Sequence, residues 1–447
     1  MSERSIDSAI DSATDSPTDS ATDAAQPAPA TDGDRRREVR RSPLRDRIAA
    51  FVAAESAERR AAIAEARGES AARHAAEIEI DHLPYGPDDE GALECEILAN
   101  AGPVELEYAA IRSGCGIFDA NHRGTLLVTG PDRRDFLNRM LTAELKDLDA
   151  GRSVEAFWLN RKGRIDADLR LAERGDAVVA ELDVHSVAGA VESLGRFLVA
   201  EDAEVVDASK DLQHLWLLGP RTRSVVEEAA GSPPPSVGRC AVLRIAGVDC
   251  LLSGLDWTGD SGVSLLVPRA DAAVVWDALL AAGGRGRQVR PIGWLAFNVA
   301  RIESGTPLFN VDFGPDNLPH ESGVLRRRVS FTKGCYLGQE VVARMESLGK
   351  PKQTLVGLRI DGEALPVAGS QVFSIEDDAM GPCIGGVTSS TPSPMLGAAP
   401  VAFAMVKSAH ATPGTTLLVN AEGAQSRATV GPLRFFGAAA SDPGGDS

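Results

Sequence analysis

One thiol in this chain sits in a setting that suits chemistry. Cys335 lies in the string Lys333-Gly334-Cys335-Tyr336-Leu337-Gly338-Gln339-Glu340, with Arg326, Arg327 and Arg328 just upstream. Positive charge beside a thiol lowers its pKa and raises the fraction of thiolate, the nucleophilic and metal-binding form. Lys333, two residues away, is the nearest source of that charge. Gly334 and Gly338 let the backbone turn tightly or approach a ligand closely. Gln339 and Glu340 offer polar groups that could orient a ligand. The alternative for any lone cysteine is a buried, inert side chain, and that reading is taken for Cys95, Cys115, Cys240, Cys250 and Cys383. No two cysteines have C-x-x-C spacing, so no zinc or redox knuckle is expected.

Asp168 is a second candidate. It follows the short turn Arg161-Lys162-Gly163-Arg164, which joins the apolar stretches 154–159 and 165–171 in a hairpin pattern. A carboxylate there can hydrogen-bond or exchange a proton with a basic ligand nitrogen. A solvent-facing strand aspartate is the plain alternative. The surrounding pattern is that of an α+β fold. A strand at 125–129 is stopped by Gly130-Pro131, and Pro131 suits the first turn of a helix carrying Phe136, Leu137, Met140 and Leu141. Residues 177–182 continue the sheet. A helix is expected over 186–199, with Val187, Val191, Leu194 and Leu198 on one face. Strands near 213–218, 241–246 and 248–253 follow, then helices near 271–282 and 291–303. Hairpins mixed with single helices indicate largely antiparallel sheets. After Lys350-Pro351 the helical pattern stops. Segments 355–360, 371–375, 384–389, 400–406, 416–419 and 428–430 read as strands of a small β-barrel.

The two ends differ from the middle. Residues 1–34 hold eight acidic residues and one Arg among Ser, Thr, Ala and Pro, and are expected to be a disordered acidic tail. Residues 35–80 read as a charged helical extension with a thin apolar face of Ile48, Phe51, Val52 and Ile63, loosely attached and dispensable to the core. Residues 438–447 read as a short disordered tail. The chain has 447 residues and a net charge of −18, which argues against an exposed nucleic-acid surface. No apolar run is long enough to span a membrane. No signal-peptide pattern opens the chain. Sparse cysteines fit reduced thiols and a cytoplasmic location.

The Lys333–Glu340 string resembles the signature of the YgfZ family. These tetrahydrofolate-binding proteins are related to the glycine cleavage T-protein and are linked to iron–sulfur cluster maintenance and, in some bacteria, to tRNA modification. Arg112, Gly116-Ile117-Phe118-Asp119 and His122 resemble the opening of the T-protein domain, and Arg301-Ile302-Glu303-Ser304-Gly305 its R-x-E-x-G helix end. Ile384-Gly385-Gly386-Val387-Thr388-Ser389 and Ser393-Pro394 resemble its terminal barrel. The resemblance covers 81–437 and implies a folate-binding domain over 81–350 and a barrel over 351–437.

It also implies tetrahydrofolate as cofactor and iron–sulfur client proteins as partners. Cys335 and Lys333 become the reactive pair. Asp168, Trp257, Arg301, Glu303, Tyr336, Gln339 and Glu340 become the folate-binding set, with Asp168 facing the reactive nitrogens. Two departures stand out. The family's Tyr-Thr-Gly-Glu-x-Gly-Phe-Glu is Trp257-Thr258-Gly259-Asp260-Ser261-Gly262-Val263-Ser264 here, so the carboxylate that grips the pterin edge is Ser264, a weaker partner. The family's A-R-D is Ala296-Phe297-Asn298, so an arginine is lost. Trp257 could stack on a flat ring or simply belong to the core. Both departures count against aminomethyl transfer. A folate-dependent aminomethyltransferase, one-carbon transferase or demethylase, and a folate-sensing module without catalysis, stay open as alternatives.

Overall fold

The computed structural model describes residues 39–73, 77–87, 93–283 and 289–436, and structural statements here concern these. The expected acidic tail and the C-terminal tail lie outside the described residues.

The N-terminal part contains β1 (Val39–Arg40), α1 (Arg45–Arg67), α2 (Glu69–Arg73), β2 (Asp81–Tyr85) and β3 (Glu94–Asn100). The central part runs through α3 (Val104–Ser113), β4 (Cys115–Asp119), β5 (Arg123–Thr129), α4 (Arg133–Met140), β6 (Ser153–Leu159), β7 (Ile165–Glu173), β8 (Val178–Asp183), α5 (Val187–Gly195) and β9 (Glu204–Asp207). It continues with β10 (Leu212–Leu218), α6 (Thr222–Ala230), β11 (Cys240–Ile245), β12 (Val248–Leu255), β13 (Gly262–Pro268), α7 (Ala272–Ala282), β14 (Val289–Ile292), α8 (Trp294–Ser304), α9 (Leu325–Arg328) and α10 (Gln339–Leu348). The last part is β15 (Gln353–Ile360), β16 (Gln371–Glu376), β17 (Ala379–Ser393), β18 (Ala399–Lys407), β19 (Thr416–Ala421) and β20 (Ala424–Gly431).

Two large sheets form the centre: a 5-stranded sheet in the order β6-β7-β8-β5-β9 and a 6-stranded sheet in the order β11-β12-β13-β10-β4-β14. Helices α4 and α5 cover the outer face of the first through Phe136, Leu137, Val187 and Leu194. Helices α6 and α7 cover the second through Val225, Val226, Val275, Trp276 and Leu279. The inner faces meet through Leu127, Ala172 and Val179 on one side and Leu212, Leu251 and Leu266 on the other. Strands β15 to β20 close into a barrel, as the dense turn pattern implied. Strand β13 and the short parallel strand β14 are additions to the sequence reading. The β14 segment precedes Gly293, the N-cap of α8, so the helix expected from 291 begins at Trp294.

The N-terminal extension differs from its expectation. Leu44, Ile48 and Val52 are buried in the same cluster as the six-stranded sheet. Arg290, buried beneath that helix, pairs with Glu55 at 3.0 Å. Arg40 reaches under the core and donates to the backbone carbonyls of Asn121 (3.0 Å) and Ser209 (2.9 Å). A few large side chains at matched positions suffice to seat a helix whose overall amphipathicity is weak. This segment is docked on the core, which corrects the reading of it as loosely attached.

Candidate functional site

The inner faces of the two sheets do not close everywhere. A cavity of about 280 Å³ lies between them, with Glu155, Arg170, Glu181, His214, Trp257 and Ser264 in its wall. On β7, Asp168 and Arg170 alternate with the apolar Ala167, Leu169 and Leu171, which face the helices. Register sets Glu155 of β6 and Glu181 of β8 opposite Arg170. Three strands thus place a carboxylate, a guanidinium and a carboxylate in one row. Charged pairs directly opposite each other stabilise such a row.

The row extends into a network. Glu181 accepts from Arg123 (3.1 Å), Arg170 (2.9 Å) and the Ser264 hydroxyl (3.0 Å). Burial opposes its ionisation, but Arg170, His214 and Arg123 outweigh burial and bring its pKa down to about 2. Glu155 pairs with Arg328 and with Arg327 (3.2 Å); burial again opposes ionisation and the arginines again prevail. Arg170 and Arg123 also stand over the Trp257 ring, at 5.3 and 5.9 Å from its centroid. Trp257 is therefore wall and core together. His214 meets the Thr125 hydroxyl through Nε2 at 2.8 Å, and burial brings its pKa down to about 4, so the ring is neutral near pH 7. Its buried Nδ1 has no hydrogen-bond partner.

Asp168 stands beside this row, ion-paired with Arg328. Arg328 donates from Nε to Oδ1 (2.7 Å) and from Nη2 to Oδ2 (3.3 Å), a fork across both carboxylate oxygens. The arginines ahead of the cysteine string thus serve the cavity: Arg327 and Arg328 hold Glu155, and Arg327 also meets Asp256 at 2.9 Å.

The Lys333–Glu340 string forms a separate feature. Lys333 is buried, and its ammonium donates to the carbonyls of Asn138 (2.7 Å), Leu141 (2.8 Å) and Ala143 (2.5 Å). It closes the C-terminal end of α4, where carbonyls lack helical partners. Burial lowers its pKa to about 8. This amine is spent on the backbone, so the expected role of charging the thiol is replaced by one of fastening the loop. Tyr336 is buried under the Lys333 ammonium, 5.3 Å from ring centroid to nitrogen. Gly338 has φ 79° and packs so closely on the hairpin turn that a Cβ would lie 2.8 Å from the Asn160 carbonyl. Gly334 has open space around it and no positive φ, so no steric demand for glycine exists there. Cys335 is exposed between these fixed points. Gln339 and Glu340 begin α10, half-buried and exposed. Neither they nor Tyr336 line the cavity. Burial raises Cys95, Cys115 and Cys250 to about 12 and Cys240 to about 11, which fits inert thiols. Cys383 is exposed, contrary to its expected burial.

Arg301 and Glu303 are fully buried away from the cavity. Arg301 pairs with Asp312 and donates to Ser389 (2.5 Å). Glu303 accepts from Tyr108 (2.6 Å), Arg112 (2.6 Å) and Ser393 (2.5 Å). These are pins between α8 and barrel strand β17. The structure brings together Asp168 and Trp257 near the cavity, sets Cys335 and Lys333 on a neighbouring loop, and places Arg301 and Glu303 at the barrel. Glu155, Arg170, Glu181 and His214 were missed. Their signal was a charged or polar residue set among apolar ones in a strand: Glu155 in β6, Arg170 in β7, Glu181 in β8 and His214 in β10.

Two facing sheets, a closed barrel and a charged cavity between the sheets define an aminomethyltransferase-like fold. A crystal structure of the glycine cleavage system aminomethyltransferase T from Bartonella henselae superposes with a TM-score of 0.69, at 23% identity, over 80% of this chain and 94% of that one. Residues 99–333 match the GCVT N-terminal domain and residues 353–436 the glycine cleavage T-protein C-terminal barrel domain. The chain belongs to the glycine cleavage T-protein family. It is 32% identical over 338 residues to a probable aminomethyltransferase of Halobacterium salinarum, covering 73% of this chain and 89% of that protein. It is 33% identical over 346 residues to an aminomethyltransferase of Streptomyces avermitilis, covering 75% and 90%. Among the described residues no helix is long and apolar enough to cross a membrane.

Proposed function

We propose that this chain binds tetrahydrofolate in the cavity between its sheets and presents Cys335 as a thiol that supports iron–sulfur proteins, as YgfZ-type members of the family do. The observation that carries this reading is the exposure of Cys335 on a loop fastened on one side by Lys333 and on the other by Gly338. A thiol held outward by a rigid base suits work on a partner more than work on a buried substrate.

The cavity residues fit a reduced pterin. Its volume, about 280 Å³, is near the lower end for small-molecule sites, enough for the ring with the tail left outside. Glu155 and Glu181 put carboxylates in the wall that a guanidine-like edge would have to share with the arginines they already hold, and Glu181 stands next to Ser264, where the family carboxylate is missing. His214 Nδ1 is buried without a hydrogen bond, 3.6 Å from the Glu181 carboxylate. Arg326 and Arg327 also line the cavity, but each is already paired, Arg326 with Glu346 (2.7 Å) and Arg327 with Glu155 and Asp256, so the tail's carboxylates would compete with those pairs. When bound, tetrahydrofolate would supply the pterin nitrogens that accept one-carbon units.

A second reading is transfer of an aminomethyl or other one-carbon unit to folate. Its support is the family position of Asp168 and the names of the relatives. Against it, Arg328 already occupies both oxygens of Asp168. Calorimetric titration with tetrahydrofolate, paired with complementation of a deletion strain, separates the cases. Cys335→Ala is expected to bind folate like wild type and fail to restore iron–sulfur enzyme activity. Full rescue by that variant removes the thiol from the function. Formation of methylene-tetrahydrofolate from an aminomethyl donor by the purified protein establishes the second reading instead. Folate binding with neither outcome leaves a folate-sensing module.

A further inference from the structure

A second, larger cleft lies elsewhere on the molecule. It encloses about 890 Å³, well within the range of small-molecule sites, and shares no lining residue with the charged cavity. The N-terminal hairpin β2–β3, helix α5, the start of α8 and barrel strand β17 all border it. Leu83, Ile97, Trp294, Val311 and Pro315 give it apolar and aromatic walls. Among the described residues that line it, Asp166 is the only carboxylate and none is Lys or Arg.

The backbone aims Asp166 into this cleft. Trp158 pairs with Ala167 but Leu159 pairs with Ile165, so Asp166 has no residue opposite it. This is a β-bulge, and a bulge re-aims the side chain it carries. Without the bulge, period-two alternation would leave Asp166 facing the same way as Asp168. Asp166 is half-buried, and its one hydrogen bond among the described residues comes from the neutral amide of Asn160, at 2.8 Å. Burial raises its pKa, with Asn160 working the other way. Of the other titratable groups in the wall, His185 is tied through Nε2 to the Tyr85 carbonyl at 3.0 Å, and the Tyr85 hydroxyl donates to Asp183 (2.5 Å).

We propose that this cleft is a ligand site for an organic cation, a protonated amine carried on an apolar body. A partly desolvated carboxylate without a cationic partner favours a ligand that brings one. An apolar neutral ligand would strip water from Asp166 and return nothing. An anion would find no cationic side chain. The partly exposed Trp294 ring adds an aromatic face, which also favours a cation.

Calorimetry with 2-phenylethylammonium near neutral pH tests this, with 2-phenylethanol and phenylacetate as neutral and anionic counterparts. The site is independent of the folate reading, so tetrahydrofolate titration serves as a control. Saturable binding of the ammonium is expected, with the alcohol weaker by about tenfold or more and the anion not binding. Asp166→Asn should weaken the ammonium by a similar factor. Gly189 lines the cleft on α5, and a Cβ there meets nothing within 4 Å. Gly189→Phe should therefore fold normally, fill the cleft and abolish binding. Tetrahydrofolate affinity should be unchanged in both variants. The proposal is overturned if wild type shows no saturable binding at millimolar ammonium, if the alcohol binds equally well, or if neither variant changes the affinity.

Discussion

The charges of the cavity converge on Glu181. Its carboxylate is buried, yet Arg123, Arg170 and His214 hold its pKa at about 2 against an ordinary 4.5. A depressed carboxylate stabilises the fold above its unfolded pKa, and that contribution is lost as pH falls through the folded value. The window is therefore about 4.5 down to about 2. At neutral pH, Glu181→Gln leaves two buried guanidinium groups short of a counter-charge and should cost roughly 3–5 kcal/mol. The gap between wild type and variant should narrow across that window as the wild-type carboxylate takes up its proton. Urea midpoints measured from pH 7 down to the acid limit of folding check this. A gap that stays constant with pH would show that Glu181 is not ionised in the fold. Its importance was only half visible in the sequence. One Glu in an apolar strand signals a partner, but the partners lie 58 and 11 residues away, on β5 and β7.

Among the elements, α1 shows how a weak pattern can hide a firm attachment. Its sequence is rich in Ala, Arg and Glu, and only Ile48 and Val52 near its start, with Leu44 just before it, are buried in the core, Phe51 packing beside them. Sequence periodicity averages over the whole helix, whereas burial is decided by its first turns. Ile48→Ala should destabilise the protein by about 2–5 kcal/mol, the usual cost of emptying a buried aliphatic site. Thermal or urea unfolding measures it, and an unchanged midpoint would mean that the helix is detached in solution. Strand β1 reaches further, since Arg40 ties the carbonyls of Asn121 and Ser209. Ser209 in turn receives the Thr125 amide at 2.9 Å, and Thr125 holds His214. The extension thus supports the floor of the cavity from outside the matched family domains.

Across the whole molecule, Arg301 and Glu303 join the barrel to the sheets. Arg301 and Asp312 are both fully buried, and Ser389 of β17 bonds to each of them. Glu303 takes a proton donor from each side, Arg112 from α3 and Ser393 from the barrel. Replacing Arg301 by Met would leave Asp312 buried without its cation, at a cost of roughly 3–5 kcal/mol. The expected sign is a loosened barrel: scanning calorimetry should separate one transition into two, and limited proteolysis should cut between 349 and 352 first. A single, unshifted transition would show that the two parts are held by other contacts. Tetrahydrofolate binding should survive in the remaining folded fraction, because neither residue lines the cavity.

What the sequence determined by itself was whatever depends on short spacing. Hairpin turns, helix faces, the run of short barrel strands and the Lys333–Glu340 string are all local patterns, and the elements appeared where those patterns stood. The family was legible for the same reason, since its motifs are contiguous. The tertiary structure alone decided which polar groups are free. Lys333 is two residues from Cys335 in the chain, yet its amine turns to carbonyls at and just past the end of α4 that are 190–195 residues away. Arg301 and Glu303 sit in a family motif, yet each reaches a serine of the barrel. Asp166 and Asp168 are two residues apart, yet one bulge sends them to different surroundings. A buried charge goes to whichever opposite charge or carbonyl the packed fold brings within hydrogen-bond reach. That reach is a property of the folded chain, and distance along the sequence carries no record of it.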